Sequence, residues 1–504
     1  MPDRAVPVLV VFPYREEDGP RRVLEHVVEG LHRGGYRVVC VLPPEADASP
    51  ALERRCAAVE RLPGLRTFPR TLDPSRLGPF LRRHLESAET LERLGRRHGA
   101  RAVYSVSEAV FAGALAARRL GVPSVLHVIG MSIRSPRILA HLYVRALSGL
   151  TTRFVACSSA VAEMLASSGA DDERITVIHN GVSIAEIDGV AGAVERGPGE
   201  RSVGMVAAFD PRKGHELFVE AAALVARAHP DARFVCVGGT LAGRRDSAAF
   251  RCRVDELVER HGLEGRFTTT GHLAPADVVR RLRSLDAVVV PSRTEGFAHA
   301  LLDAMACGRP VVASALEGNL DAFVHEHSGL YADRSATAFA EAVSRLLADP
   351  ALASRLGAEA RARAEAYFDL PVTLPLIART LDDVIGRRAP VSAPAPGRAV
   401  RASPQGVAAS YAATRPSTIA ARDSASIRSL AAAPSRSRSS ASARSRSIAE
   451  RSAATSPAST RTAPVSASPP TRLATTGRPY AIASRATAPY PSRRDGTHTT
   501  AARS

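Results

Sequence analysis

Residues 287–314 read AVVVPSRTEGFAHALLDAMACGRPVVAS, and the order of residue types specifies a strand, a loop, a helix and a second strand. Ala287–Val290 is a short apolar run ended by Pro291, the pattern of a strand buried on both faces of a parallel sheet. From about His299 to Ala306 the chain reads as a helix, closed by Gly308, and Pro310–Ala313 is a second buried run. The loop Glu295-Gly296-Phe297 opens onto a helix N-terminus whose free amides can bind anionic oxygen. Glu295 precedes that helix and Asp303 lies two turns into it, about 12 Å away at 1.5 Å per residue. That distance suits the two ends of a nucleotide sugar better than one reacting centre. His299 and Asp303, at i and i+4, share a helix face.

Working outward, the same alternation fills the rest of residues 201–368. Val203–Ala207 is a strand, Glu216–Ala228 a helix, Phe234–Val237 a strand ending in Gly238-Gly239, Ala249–His261 a helix and Phe267–Thr270 a strand. An earlier α/β run precedes it: the strand at 6–13, a helix carrying Val23, Leu24, Val27, Val28 and Leu31, the strand Tyr36–Leu42, then strands at Ala102–Tyr104, Ser124–Val128 and Phe154–Ala156 between helices. A Gly- and Glu-rich stretch, 187–201, separates the two. The expected fold class is α/β, with two facing doubly wound, Rossmann-like domains: residues 1–185 and 201–368, then a helix over 369–388. Ligands of such sheets sit at the carboxyl ends of the strands, which places the site in the cleft between domains.

Val206-Ala-Ala-Phe-Asp-Pro-Arg-Lys-Gly214 is the second informative segment, a strand end, a loop and a helix start. Lys213 is the sole lysine among 67 basic residues. Where every other basic position is arginine, the retained ammonium is expected to serve as a compact charge with mobile donors, at a second helix N-terminus fit for a diphosphate. Arg212 beside it reads as a solvated side chain. Neither G-x-G-x-x-G after the opening strands nor G-x-x-x-x-G-K-[ST] occurs, which excludes a dinucleotide fingerprint and a P-loop.

The formal net charge of +17 divides unevenly. Residues 389–504, rich in Ala, Ser, Pro and Arg, hold 17 Arg and three acids, so the tail carries most of the excess and is expected to be disordered. It lacks Phe and Trp between its arginines, so nucleic acid is not expected as a partner; a solvated extension and a basic arm for an anionic surface both remain open. Six scattered cysteines without C-x-x-C spacing read as buried free thiols, and no metal site or other cofactor is expected. No apolar run reaches 18 residues and the start reads as a strand rather than a signal peptide, so a cytoplasmic location is expected.

These motifs together resemble the retaining glycosyltransferases of family four, which have the GT-B fold. The resemblance covers about residues 5–385 and rests on Glu295-Gly-Phe…Asp303, Ala304-Met-Ala-Cys-Gly308, Pro310-Val-Val, Asn180-Gly-Val, Lys213-Gly and Gly238-Gly239. It implies that the second domain binds a nucleotide-diphosphate sugar donor, the first a carbohydrate or lipid-linked acceptor, and that the helix after Ala366 crosses back to the first domain. By the same resemblance Glu295 contacts the donor sugar and Asp303 takes the ribose hydroxyls. Lys213 neutralises the diphosphate, amides of Gly296, Phe297, Ala298 and His299 cap phosphate and sugar, Gly239 lies along the donor, and His127 faces the reacting centre. Three departures stand out: Asp at 303 for the longer Glu, Ala208 where relatives carry an arginine, and Asp18-Gly19-Pro20 where relatives often show Gly-Gly. Arg212 is the candidate to replace the missing charge.

The implied reaction is glycosyl transfer to an acceptor hydroxyl with retention, in polysaccharide or glycolipid synthesis. A degenerate GT-B binding protein and a sugar-nucleotide epimerase are the alternatives. Residues 1–183 carry +6 against −3 for 184–388, and Arg76, Arg82, Arg83, Arg93, Arg96 and Arg97 cluster in a helical stretch at 75–99. Peripheral membrane contact and a solvated face paired to Glu86, Glu89 and Glu92 are both open readings of that stretch.

Overall fold

The structure is a computed structural model, and it describes residues 5–15, 19–65, 74–107, 111–130, 137–241 and 245–386. Asp18 and the tail lie outside the described residues. The chain runs β1(Val6–Val11), α1(Gly19–Arg33), β2(Tyr36–Leu42), α2(Pro50–Arg55), β3(Ala58–Arg61), α3(Pro74–His98), β4(Ala102–Val106), α4(Ala112–Leu120), β5(Ser124–Val128), α5(Arg137–Ser148), β6(Arg153–Ala156), α6(Ser159–Ser167), β7(Ile175–Val177) and α7(Ile184–Gly189). The second run is β8(Arg201–Val206), α8(His215–Ala228), β9(Ala232–Val237), α9(Arg245–Arg260), β10(Phe267–Thr269), α10(Pro275–Arg283), β11(Ala287–Val290), α11(His299–Ala306), β12(Val311–Ser314), β13(Leu330–Ala332), α12(Ala336–Ala348), α13(Pro350–Tyr367) and α14(Leu370–Ile385).

All pairings between these strands are parallel, in a seven-stranded sheet ordered β3-β2-β1-β4-β5-β6-β7 and a six-stranded sheet ordered β10-β9-β8-β11-β12-β13. Strand order reverses between β1 and β4 in the first sheet and between β8 and β11 in the second, the crevice where doubly wound sheets hold ligands. Lys213 follows β8 and Glu295 follows β11, so the two loops singled out in the sequence meet at one switch point. β4, β5, β11 and β12 are buried at every position, the burial that their unbroken apolar runs require.

α14 returns to α1. Leu374, Ile377, Ala378 and Leu381 join the core of the first sheet, and the contact is close because α1 is bare there: a side chain on Gly30 would meet the Leu374 carbonyl oxygen at 2.9 Å. Tyr36 donates to Asp382 across the same seam. On α3 the basic stretch is laced by Arg82–Glu86 and Arg96–Glu92 ion pairs, both 2.8 Å, while Leu81 and Leu85 are exposed. Among the described residues, no helix is long and apolar enough to cross a membrane.

Buried histidines give the fold a built-in acid limit. Burial pushes His127 down to about 3, His26 to about 3 with help from the Arg22 cation, and His84 to about 4. Their folded pKa values lie below the ordinary value near 6.5, so below that pH the unfolded chain binds protons that the folded chain refuses. This contribution to stability is full above about pH 6.5 and is lost toward pH 4, at roughly 1.4 kcal/mol per pH unit for each histidine. Urea unfolding of the full chain at pH 7, 6 and 5 is expected to show this decline; equal stability at pH 7 and 5 would contradict it.

Candidate active site

Lys213 ends a short 3-10 turn whose start is fixed by Asp210, and Gly214 follows at φ +80°. A side chain at 214 would be strained there and would sit 2.0 Å from the Pro291 carbonyl oxygen. That close approach brings the two switch-point loops together. Lys213 Nζ donates to Glu295 Oε1 at 2.8 Å, and Ser292 Oγ donates to the same oxygen at 2.7 Å. Glu295 is mostly buried and Lys213 half-buried. The pair therefore presents an ammonium whose position is set by a carboxylate held from a second strand end.

Arg212 turns the other way. Its guanidinium forks onto Asp210, with Nε to Oδ1 at 3.0 Å and a terminal nitrogen to Oδ2 at 2.6 Å. Gly239 packs on the same side: its carbonyl accepts the Phe209 amide at 3.0 Å, and a side chain there would run into the His272 ring at 2.4 Å.

The Glu295 loop is wedged between the two sheets. A side chain on Gly296 would lie 2.7 Å from the Ile129 carbonyl oxygen and 3.1 Å from Cys157 Sγ, both just past strand ends of the first sheet. Phe297 is buried against His179 and Phe368, with ring centroids at 5.0 and 5.4 Å, and its carbonyl accepts from Asn180 Nδ2 at 2.8 Å. Ala298 is the N-cap of α11, with no side-chain cap and no acidic residue in the first turn. The opening amides of α11 are thus left to a ligand or water.

Asp303, one turn beyond His299, is met by a residue that the sequence reading did not select. Arg22 of α1 forms a bidentate pair with it, at 2.7 and 2.9 Å. Burial works against the Arg22 cation, and the facing carboxylate outweighs it, so its pKa is raised. A signal was present in the sequence: two arginines open a helix, where the dipole disfavours cations, so an anionic partner elsewhere was called for. His299 lies beside His26, with ring centroids at 6.3 Å. Both of its ring nitrogens are buried, and the Gly19 backbone at the start of α1 lies against the ring. Burial first, then the Arg22 cation, hold His299 well below the ordinary histidine value.

His127 stands apart from this group, near the end of β5 in the first sheet. Its Nδ1 lies 3.1 Å from the Tyr104 hydroxyl, and its Nε2 is buried without a partner among the described residues. Nearby, at the end of β4, Ser107 is buried with φ +130°, a backbone costing about 1–3 kcal/mol and typical of functional sites. Its Oγ is 3.0 Å from the Tyr14 hydroxyl. Asp321 is a second residue missed by motif reading. It takes the Ser159 amide at 2.6 Å and His179 Nε2 at 3.0 Å across the seam between the sheets. Burial raises that carboxyl, but the His179 and Ser159 contacts outweigh it and leave it below its usual range. Among the described residues no cluster of His, Cys, Asp and Glu could hold a metal ion.

Residues 18–186 match the family model described as Glycosyltransferase Family 4, and residues 193–363 match Glycosyl transferases group 1, together about two thirds of the chain. The chain belongs to these glycosyltransferases. A D-inositol 3-phosphate glycosyltransferase of Pseudarthrobacter chlorophenolicus is 30% identical over 228 residues, 44% of this chain and 53% of that protein. Its namesake from Mycolicibacterium gilvum is 34% identical over 174 residues, 31% of this chain and 37% of that protein. The chain spans about half the length of the curated relatives it matches. Among solved structures, Anabaena HepE in complex with UDP and glucose aligns with TM-score 0.59 at 22% identity, covering 74% of this chain and 99% of HepE. Sucrose-phosphate synthase from Thermosynechococcus elongatus aligns with TM-score 0.63 at 22% identity, covering 76% and 100%. The shared fold is GT-B, two Rossmann-like domains set face to face.

Proposed function

We infer that this glycosyltransferase moves a sugar from a nucleotide-diphosphate donor to an acceptor hydroxyl with retention of configuration, in polysaccharide or glycolipid synthesis. The observation that carries the reading is the Lys213–Glu295 contact at the switch point of the second sheet. An ammonium fixed there, beside the uncapped start of α11, stabilises the charge that develops on a departing diphosphate. Glu295 then orients the donor sugar and Asp303 holds the ribose, at the two ends of one loop-helix unit. The UDP and glucose held by HepE support a nucleotide-sugar donor.

Two carboxylates flanking a single bond, as retaining glycosidases use, are not what this site offers: Glu295 is engaged by Lys213 and Asp303 by Arg22. The reading is therefore a front-face displacement, in which the bond from the anomeric carbon to the diphosphate breaks as the bond to the acceptor oxygen forms. The acceptor proton passes to the leaving phosphate oxygen. His127, neutral by burial, contributes its unpartnered Nε2 on the acceptor side, where Tyr14 and Ser107 close the first sheet's switch point.

The test is a screen of UDP-, GDP- and ADP-sugars by thermal shift, followed by NMR of the product. A true donor at 100 times its dissociation constant adds about 2.7 kcal/mol to native-state stability, and the product is expected to keep the donor's anomeric configuration. An inverted product would remove the mechanism. Donor binding with no turnover over a broad acceptor screen would favour the second reading, a nucleotide-sugar binding protein, for which Ala208 speaks because it supplies no second cation.

A further inference from the structure

The donor-site reading leaves Arg22 without a task. Arg22 comes from the first domain, in the opening turn of α1, where the helix dipole opposes a cation and no acidic residue of that turn offsets it. Its fork covers both carboxylate oxygens of Asp303, the group assigned to the ribose. A ribose diol and Arg22 are thus rivals for one carboxylate. Asp303 is 16% exposed and Arg22 37%, so the pair is reachable from the cleft.

The place where a second cation is missing lies close by. Ala208 brings none, and Arg212 is engaged with Asp210. His299, at the start of α11, is four residues from Asp303, about 6 Å along the helix and within the sweep of an arginine side chain. There the field of Lys213 acts together with that of Arg22 on the His299 ring, whose two nitrogens are buried.

We propose that Arg22 changes partner when a nucleoside diphosphate binds. The ribose hydroxyls take over the Asp303 carboxylate, and the released guanidinium moves to the diphosphate beside Lys213 and the start of α11. This rests on the donor-site reading and adds a residue of the first domain to the donor site. It also makes Arg22 a determinant of specificity. A nucleoside must break the ion pair and offers the guanidinium no anion in return, whereas a nucleoside diphosphate breaks it and supplies one.

The test uses the full chain with UDP, GDP and ADP, measured by calorimetry, and with uridine, guanosine and adenosine, measured by ligand-observed NMR. For the best-bound pair, Arg22→Gln is expected to weaken the diphosphate about tenfold, the scale of one charge-assisted hydrogen bond, and to tighten the nucleoside severalfold. A merely structural role would weaken both ligands, and a simple block of Asp303 would on removal strengthen both; either result overturns the proposal. Arg22→Lys keeps the charge and loses the fork, so the nucleoside tightens while the diphosphate stays within about threefold of wild type. That variant decides the matter if Arg22→Gln does not fold, and unchanged nucleoside affinity in it would overturn the proposal. If none of the diphosphates binds the wild type, the donor-site reading falls and this proposal with it.

Discussion

Lys213→Ala is expected to lower transfer by about 10²–10³ in turnover, the loss that follows removal of one fixed charge-stabilising donor from a transition state. The ammonium is held 2.8 Å from Glu295 Oε1 and has no understudy. Arg212 is turned onto Asp210, and Arg22, in the partner exchange proposed above, brings a planar fork rather than a compact ammonium. Lys213→Arg is expected to restore little, because a planar fork cannot reproduce a compact ammonium between a carboxylate and a diphosphate. Initial rates at saturating donor measure the effect. Turnover within threefold of wild type would remove Lys213 from the reacting charge.

Gly318→Ala should produce a large structural effect in the site. A side chain at 318 would lie 2.2 Å from the Glu295 carbonyl oxygen and 2.6 Å from that of Gly296. Backbone on both sides leaves no flexible group to yield, so the Glu295 loop itself must move. Overpacking of this kind costs about 1–3 kcal/mol or more, which in a domain of this size lowers the melting temperature by roughly 2–4 °C per kcal/mol. Loss of the Lys213–Glu295 contact should weaken diphosphate binding along with it. Gly78→Ala on α3, which meets nothing within 4 Å, is the control and should leave diphosphate binding in place without lowering the melting temperature. Calorimetric melting and titration of both variants check the pair, and a Gly318→Ala protein with wild-type melting and binding would refute the account of the loop.

The sequence was most legible where burial leaves one choice of structure. Tyr36–Leu42, Ser124–Val128, Ala287–Val290 and the helix at His299–Ala306 have the same bounds in the structure as in the sequence reading, because apolar runs flanked by Gly and Pro admit few alternatives. The short edge strands β3 and β13 were not legible. Ala58–Arg61 is only half-buried, and Leu330–Ala332 has three residues, so neither shows a period.

In the candidate site, what could be read were the residues on local motifs, Lys213, Glu295 and Asp303, since a loop and a helix fix their spacing. What could not be read was pairing across domains. Arg22 and Asp303 are 281 positions apart, and Asp321 reaches Ser159 over 162. No local periodicity encodes such contacts; they follow only once both sheets are built and set face to face. His127 shows the same limit from the other side. A histidine at a strand end has no sequence mark of burial, yet burial holds it neutral, with the Tyr104 hydroxyl 3.1 Å from its Nδ1.

A crystal structure of the full chain with the nucleoside diphosphate that most raises its melting temperature tests the central claim most directly. Diphosphate oxygens are expected within hydrogen-bond distance of Lys213 Nζ at the switch point between β8 and β11, with the ribose hydroxyls on Asp303. A nucleotide bound away from that switch point, or bound there without touching Lys213, would contradict it.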